Sequence, residues 1–257
     1  MHNVMRLAII AVAALTAACT NLTVPAEKLN EIKSLAVVPV LDDEFHLYFY
    51  GLTILDNQHE TADVADWKLN EFLGQKAREL LTPRYKVVPG GEIDRAAALA
   101  ANRFTDDAAS HGERAYAALK HKDPQVDAYL FLIREKDWDL EVNRNSGVQN
   151  VGLQRRSIAM RMPWAKYSQY NIYTVYRAYL VDGRSGKLIA QRPAWITPPD
   201  GSSGRATPLV QIPEGDSWPR TLPAIMQEHR SLLETKTKEL LVSSLTFTLR
   251  GLGLLVE

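Results

Sequence analysis

Two short segments of this sequence are apolar over almost their whole length, and they restrict the fold more than any other feature. They are residues 34–41 (SLAVVPVL) and residues 127–135 (DAYLFLIRE). A strand with one face in water alternates apolar and polar side chains, whereas a strand covered on both faces reads as a continuous apolar run. We therefore predict two interior strands in a sheet that is covered on both faces.

Helical periodicity accounts for much of the sequence around these strands. Apolar residues recur at helical spacing in the first long helix, and Thr82 and Pro83 end the pattern. Gly251 follows the last helix and is predicted to end it. The predicted helices are residues 62–81, 92–101, 106–120 and 224–250.

Segments rich in β-branched and aromatic residues predict the other strands, which are residues 45–55, 85–89, 153–162, 170–181 and 188–196. Gly51 interrupts the first of these, so we predict an edge strand there. Asp182-Gly183 and Ser185-Gly186 predict a tight hairpin between the last two. Residues 197–223 are rich in proline and glycine, which predicts a long surface loop.

These elements follow one another in the order β-α-β-α-β-β-β-α. Such an order predicts an α/β (α+β) fold, with a mixed β-sheet, flanking helices and a long C-terminal helix. No internal repeat or linker divides the sequence beyond residue 34. Residues 34–257 are therefore predicted to form one periplasmic domain, on the evidence of the export signal described next.

The first 18 residues have the three parts of a secretory signal peptide. Arg6 supplies a positive charge, residues 7–15 are apolar, and Thr16-Ala17-Ala18 are small residues at a cleavage site. The apolar stretch ends at Ala18 and is too short for a membrane span, which needs about 20 residues. We predict that residues 1–18 are removed on export.

The segment Leu15-Thr16-Ala17-Ala18-Cys19 resembles the lipobox of bacterial lipoproteins, although its large apolar residue lies four positions before the cysteine rather than three. The resemblance implies cleavage between Ala18 and Cys19 and lipid on Cys19, with residues 19–33 as a tether. Two or three acyl chains anchor a protein stably. Thr20 replaces the Asp that favours inner-membrane retention in enterobacterial lipoproteins, which implies the outer membrane. Ordinary export, leaving a free thiol, is the alternative.

Charge and cysteine content exclude several other classes. Thirty Lys and Arg residues balance thirty Asp and Glu residues, so the formal net charge is zero. This balance argues against a nucleic-acid-binding protein held by a general basic field. Cys19 is the single cysteine, which excludes an intramolecular disulfide and a cysteine-cluster metal site.

The lipobox, SLAVVPVL, a long helix, YKVVP, DAYLFLIRE and the hairpin YLVDGRSGKLIA together resemble a group of envelope lipoproteins. The pattern is similar to the curli-secretion lipoprotein and to the penicillin-binding-protein activator lipoproteins, which implies a strand–helix–strand core in the periplasm. Tyr50-Gly51-Leu52-Thr53 also resembles a segment of an uncharacterised proteobacterial lipoprotein family. That second resemblance implies no activity.

Two polar clusters have residue types that suit chemistry. Asp42, Asp43, Glu44 and His46 follow the first strand, where α/β folds tend to bind ligands. They could hold a divalent cation or act as acid and base, or they could form a solvated turn. Residues 56–60 (DNQHE) lack the His-Glu-x-x-His spacing of a zinc site. We predict that they cap the helix at residue 62.

A third candidate lies between two long predicted strands, where basic and aromatic residues alternate. Arginine and aromatic residues are enriched at the centres of protein interfaces. We predict partner binding by Arg161, Trp164, Tyr167 and Tyr170, the middle two at an exposed loop. The alternative is that such residues simply populate half-buried strands.

Two functions remain open from the sequence. The first is a lipid-anchored, non-catalytic envelope protein that binds another envelope component and needs no cofactor or metal. It follows from the lipobox and from the lack of a specific catalytic motif such as a Gly-x-Ser-x-Gly elbow. The second is a metal- or small-ligand-dependent periplasmic enzyme that uses Asp42, Asp43 and His46.

Overall fold

In the described part of the chain, a computed structural model has ten strands in one mixed sheet, with helices beside it. The structure describes residues 23–50, 57–100, 108–137, 148–157, 168–197, 206, 208–213 and 218–255. The strands are β1 (Ser34–Val40), β2 (Glu44–Tyr50), β3 (Gln58–Asp63), β4 (Lys86–Pro89), β5 (Ala128–Arg134), β6 (Lys136–Asp137), β7 (Val148–Ser157), β8 (Ser168–Asp182), β9 (Leu188–Pro193) and β10 (Leu209–Ile212). The α-helices are α1 (Ala26–Glu31), α2 (Leu69–Leu81), α3 (Arg95–Ala100), α4 (Ala108–Ala117) and α5 (Leu222–Leu252). The predicted α/β class, with its mixed sheet and long C-terminal helix, is confirmed.

The 15-residue strand β8 holds two half-sheets together. Its C-terminal half pairs with β5 and β9, and its N-terminal half pairs with β7 and β10. Val175 accepts a main-chain hydrogen bond from Glu135, and Tyr176 accepts one from Ala194. Since successive carbonyls of a strand point to opposite sides, β5 and β7 lie on one side of β8, with β9 and β10 on the other. β1 pairs with the outer edge of β5, and β2 pairs with the outer edge of β7.

The first half-sheet, β4-β1-β5-β8-β9, is covered on both faces, as the apolar runs predict. Leu35 and Leu130 face a core that includes residues of α2 and α5. Ala36 and Phe131 face the opposite way, in a core with Ala115 of α4. Each face of β1 and β5 is therefore apolar because each contacts a helix.

The second half-sheet, β3-β2-β7-β8-β10, has two different faces. Phe45, Val151 and Ile172 lie on the face that shares its core with α5. The opposite face carries a small apolar cluster around Tyr173, together with polar side chains. The polar residues predicted as chemical candidates belong to this half-sheet or to the turn that leads into it.

Three element predictions are wrong around β2. This strand lies between β3 and β7, so it is not an edge strand. Residues 58–63 form β3 instead of capping a helix, since their main chain pairs with β2. A 3-10 turn at Ala65–Trp67 and Lys68, with a left-handed φ of 50°, then precede α2, so the helix begins at Leu69 rather than at residue 62.

Two predictions near the C-terminus also need correction. Residues 197–223 are not entirely loop, because β10 pairs with β8 inside that range. Gly251 belongs to α5, and the helix ends at Gly253, whose φ of 82° is left-handed and favours glycine.

The described part of the predicted tether packs on the domain. Val24 N donates a 3.1 Å hydrogen bond to the carbonyl oxygen of Leu252, at the C-terminal end of α5. Val24 and Ile32 are both buried. Residues 23–33 are therefore part of the folded domain rather than a free tether. Among the described residues, no helix is both long and apolar enough to cross a bilayer.

Candidate functional site

The acidic turn after β1 is held by ion pairs rather than open to a ligand. Asp42 lies 2.9 Å from Arg134 Nε, and Asp43 lies 2.9 Å from Arg95. The side chain of Asn150 accepts a hydrogen bond from Asp42 N and donates to Glu44 O, which fixes the main chain of the turn. This network explains the turn as a structural junction between β1 and β2.

His46 lies on β2, on the face of the second half-sheet that also carries Tyr173. It is fully buried, and its Nδ1 lies 3.0 Å from Nε2 of His59, so one ring donates to the other. The rings of Tyr48 and His59 stack at 4.3 Å. Burial lowers the pKa of His46 from 6.5 to about 4, and the charges of His59 and Arg134 act in the same direction. His46 is therefore a neutral side chain at neutral pH.

The three residues of the enzyme hypothesis thus have separate partners. Asp42 and Asp43 each pair with a different arginine, and His46 pairs with His59. In the part of the chain that the structure describes, no three His, Cys, Asp or Glu side chains are grouped as metal ligands. The geometry brings no ligand set together at this turn.

Of the predicted partner-binding residues, the structure describes only Tyr170, and it is not available to a partner. Its side chain is 1% exposed, its hydroxyl donates to Pro219 O at 2.7 Å, and its ring packs on Trp218 at 5.6 Å. The prediction for Tyr170 is wrong because its position in β8 faces α5 and the chain leading into it. Arg161, Trp164 and Tyr167 lie outside the described residues, as do Ala18 and Cys19.

The described residues form a concave apolar groove between the edge strand β10 and the helix α5. Its volume is about 430 Å³, within the range of small-ligand sites. Ile172, Val210 and Ile212 form the floor on the sheet, and Leu232 and Leu240 form the wall on the helix. We call this feature the β10–α5 groove.

The charges on its helical wall neutralise each other. Lys236 and Glu239 both line the groove and form an ion pair of 2.9 Å. Their side chains are half exposed, so the pair contributes little to stability. The rim therefore carries no net charge, and the groove favours a neutral apolar segment over an ionic ligand.

The outer edge of β10 borders the groove and has no strand partner in the described part of the chain. Val210 lies on this strand and is, among the described residues, the one exposed large apolar side chain, at 37%. An unpaired edge beside exposed apolar surface is a template for another strand. The sequence signal was the β-rich run LVQI at 209–212, which the surrounding prolines and glycines obscured.

A second groove lies between α5 and α2 and adjoins the first, since Glu239 and Ser243 of α5 line both. It has a volume of about 660 Å³ and is more open. Phe72 of α2 forms part of it, and Lys238, which lies 5.4 Å from the Phe72 ring, pairs with Glu234. Both of its walls are helices, whose main chain is already hydrogen bonded, so it offers side-chain contacts only.

No protein-family model matches this chain, and no curated protein matches it in sequence. Its candidate functions therefore follow from the sequence features and the geometry described above.

Proposed function

We propose that this chain is a lipid-anchored, non-catalytic cell-envelope protein that binds another envelope protein. The export signal of residues 1–18 and the lipobox at Cys19 support anchoring in the outer membrane, facing the periplasm. The observation that carries the binding role is the β10–α5 groove, an apolar site beside an unpaired strand edge.

The occupant we propose is an extended segment of the partner, added to the sheet as a strand next to β10. Edge strands bind such segments through main-chain hydrogen bonds, while pockets beside the edge select alternate side chains. The floor of Val210 and Ile212 and the wall of Leu232 and Leu240 suit apolar side chains at every second position. The segment is therefore expected to alternate apolar and polar residues and to lack proline at its centre.

The groove lies within reach of a membrane-bound partner. The described chain begins beside the C-terminal end of α5, where Val24 bonds to Leu252. With a rise of about 1.5 Å per residue, the groove residues Leu232 and Ser243 lie about 30 Å and 14 Å from that end along the helix axis. A partner held at the anchoring membrane can therefore reach the groove.

Photocrosslinking in cells tests the proposal. A photoreactive residue at position 210 should capture one or two envelope proteins, and the crosslinked peptide of each should be extended and alternating. The same residue placed at Gln75, an exposed position on α2, is the control for surface exposure. Capture should be lost when Cys19→Ala prevents anchoring.

The captured segment, made as a synthetic peptide, should then bind the purified protein. We expect Val210→Lys to weaken the dissociation constant at least tenfold with little change in melting temperature, because Val210 is partly exposed and lysine obstructs an edge. Gln75→Lys adds the same charge elsewhere and should have no effect. Equal binding by the Val210→Lys variant, or by a peptide with proline at its centre, would contradict strand addition.

A further inference from the structure

One buried arginine has no ion-pair partner in the part of the chain that the structure describes. Arg155 lies on β7, in register with Phe49 on β2 and Tyr170 on β8, so the three side chains form a row on one face of the sheet. Its Cζ atom lies 4.6 Å from the Phe49 ring centre and 5.7 Å from the Tyr170 ring centre. The residue is only 8% exposed.

Among the described residues, no carboxylate pairs with Arg155, and its buried Nε has no hydrogen-bond partner. Arg155 Nε makes no hydrogen bond to the hydroxyl of Tyr170, which itself donates to Pro219 O. Three other arginines of the sheet have polar partners: Arg134 pairs with Asp42, Arg177 pairs with Glu135, and Arg192 donates to the carbonyl oxygen of Gly251. Buried arginines are ordinarily paired, because an isolated buried charge is costly.

The surroundings add positive potential at Arg155. Pro219, which contacts Tyr170, is followed by Arg220 and then by the N-terminus of the 31-residue helix α5. Burial lowers the pKa of Arg155, and the nearby charge of Arg220 acts in the same direction. The N-terminus of a helix is also electropositive.

A carboxylate close to Tyr170 is already engaged. Glu60 Oε2 accepts a 2.8 Å hydrogen bond from Leu222 N, the first residue of α5. Glu60 therefore serves the helix end, and among the described residues no ion pair joins a carboxylate to Arg155 or Arg220.

We propose that Arg155 and Arg220 bind a phosphate group at the N-terminal end of α5. The aromatic rings contact the Arg155 guanidinium through its π-system and leave its edge for hydrogen bonds, and the edge of a guanidinium matches two phosphate oxygens. Two guanidinium charges exceed the single charge of a carboxylate, so a phosphate monoester, with about two negative charges near pH 7, balances them better. The phosphate can belong to a soluble compound or to a lipid headgroup.

This site is independent of the β10–α5 groove. The groove residues of α5 begin at Leu232, ten residues beyond the helix N-terminus. At about 1.5 Å per residue, the phosphate site lies about 45 Å along the helix from the end where Thr23 and Val24 pack. Loss of one binding activity is therefore expected without loss of the other.

Inorganic phosphate and lipid vesicles test the two sources separately. The full chain with Cys19→Ala, which carries no lipid of its own, is titrated with phosphate and compared with chloride at equal ionic strength. The same protein is sedimented with vesicles of phosphatidylglycerol and with vesicles of phosphatidylcholine. Phosphate is expected to raise the melting temperature more than chloride does.

Arg155→Gln should weaken phosphate binding at least tenfold and leave the melting temperature of the ligand-free protein unchanged or higher, since it removes an unpaired buried charge. Arg155→Lys should retain part of the binding, and Arg78→Gln, an exposed arginine on α2, should retain all of it. Loss of vesicle binding in Arg155→Gln would assign the phosphate to a lipid headgroup; loss of binding to phosphate alone would assign it to a soluble compound. Wild-type binding by Arg155→Gln, or no difference between phosphate and chloride, would overturn the proposal.

Discussion

Acidification from about pH 7 to about pH 4.5 should lower the free energy of unfolding by about 2 kcal/mol through His46 alone, since each unit of pKa shift corresponds to about 1.4 kcal/mol and the loss is complete only below both pKa values. In the folded protein, burial holds the pKa of His46 at about 4, against 6.5 for an ordinary histidine. Between these two values the unfolded chain binds a proton that the folded chain does not. Stability is therefore fully present above pH 6.5 and is lost as the pH falls towards 4.

The measurement is chemical denaturation at several pH values, with the wild type compared with His46→Gln. Carboxylates also titrate in this range, so the informative quantity is the difference between the two profiles. The variant should lose less stability on acidification than the wild type, and His121→Gln, at an exposed histidine, should follow the wild type. Parallel profiles for wild type and His46→Gln would show that His46 does not hold a depressed pKa.

Gly152→Ala should destabilise the protein by about 3 kcal/mol, at the upper end of the cost of overfilling a packed site. Gly152 lies on β7 opposite His46 and Tyr173. A Cβ atom there would lie 2.2 Å from the carbonyl oxygen of His46 and 2.5 Å from the hydroxyl oxygen of Tyr173. The Tyr173 ring can move, but the main chain of β2 can move only if its pairing with β7 is disturbed.

Gly74→Ala is the matched control, on α2. Its added Cβ would lie 3.1 Å from Cγ of Pro39, a tight but side-chain contact. Alanine is better than glycine in a helix by up to about 1 kcal/mol, which offsets that contact. We expect the free energy of unfolding of Gly74→Ala to stay within about 1 kcal/mol of wild type. If Gly152→Ala were as stable as Gly74→Ala, the main chain of β2 would be able to move away from the added methyl group at little cost.

The success of the sequence predictions depended on how local each signal was. β1 and β5 could be predicted because a continuous apolar run reflects cover on both faces whatever the partner strands are. Whether β2 is an interior or an edge strand could not be predicted. The same residues can form either kind of strand, and the difference is whether another strand pairs with the second edge. That neighbour, β3, has the polar sequence QHETAD, which resembles a helix start.

The candidate sites show the same division. Arginine and aromatic residues recur along the sequence of β7 and β8. Which of these residues face a partner could not be predicted, because Tyr170 is buried by Trp218 and Pro219, far along the chain. Arg155 is unusual because no described carboxylate pairs with it. The sequence does not indicate this, because it does not show which residues surround Arg155 in the fold.

The sequence by itself determined the α/β class, the two covered strands, the long final helix and the features that predict export and lipidation, because each depends on a short run of neighbouring residues. The tertiary structure decided the pairing of β2 and β3, the depressed pKa of His46, the unpartnered charge of Arg155 and the groove beside β10. Each of these depends on which distant residues meet across the sheet, and strand pairing joins residues that are not close in the chain.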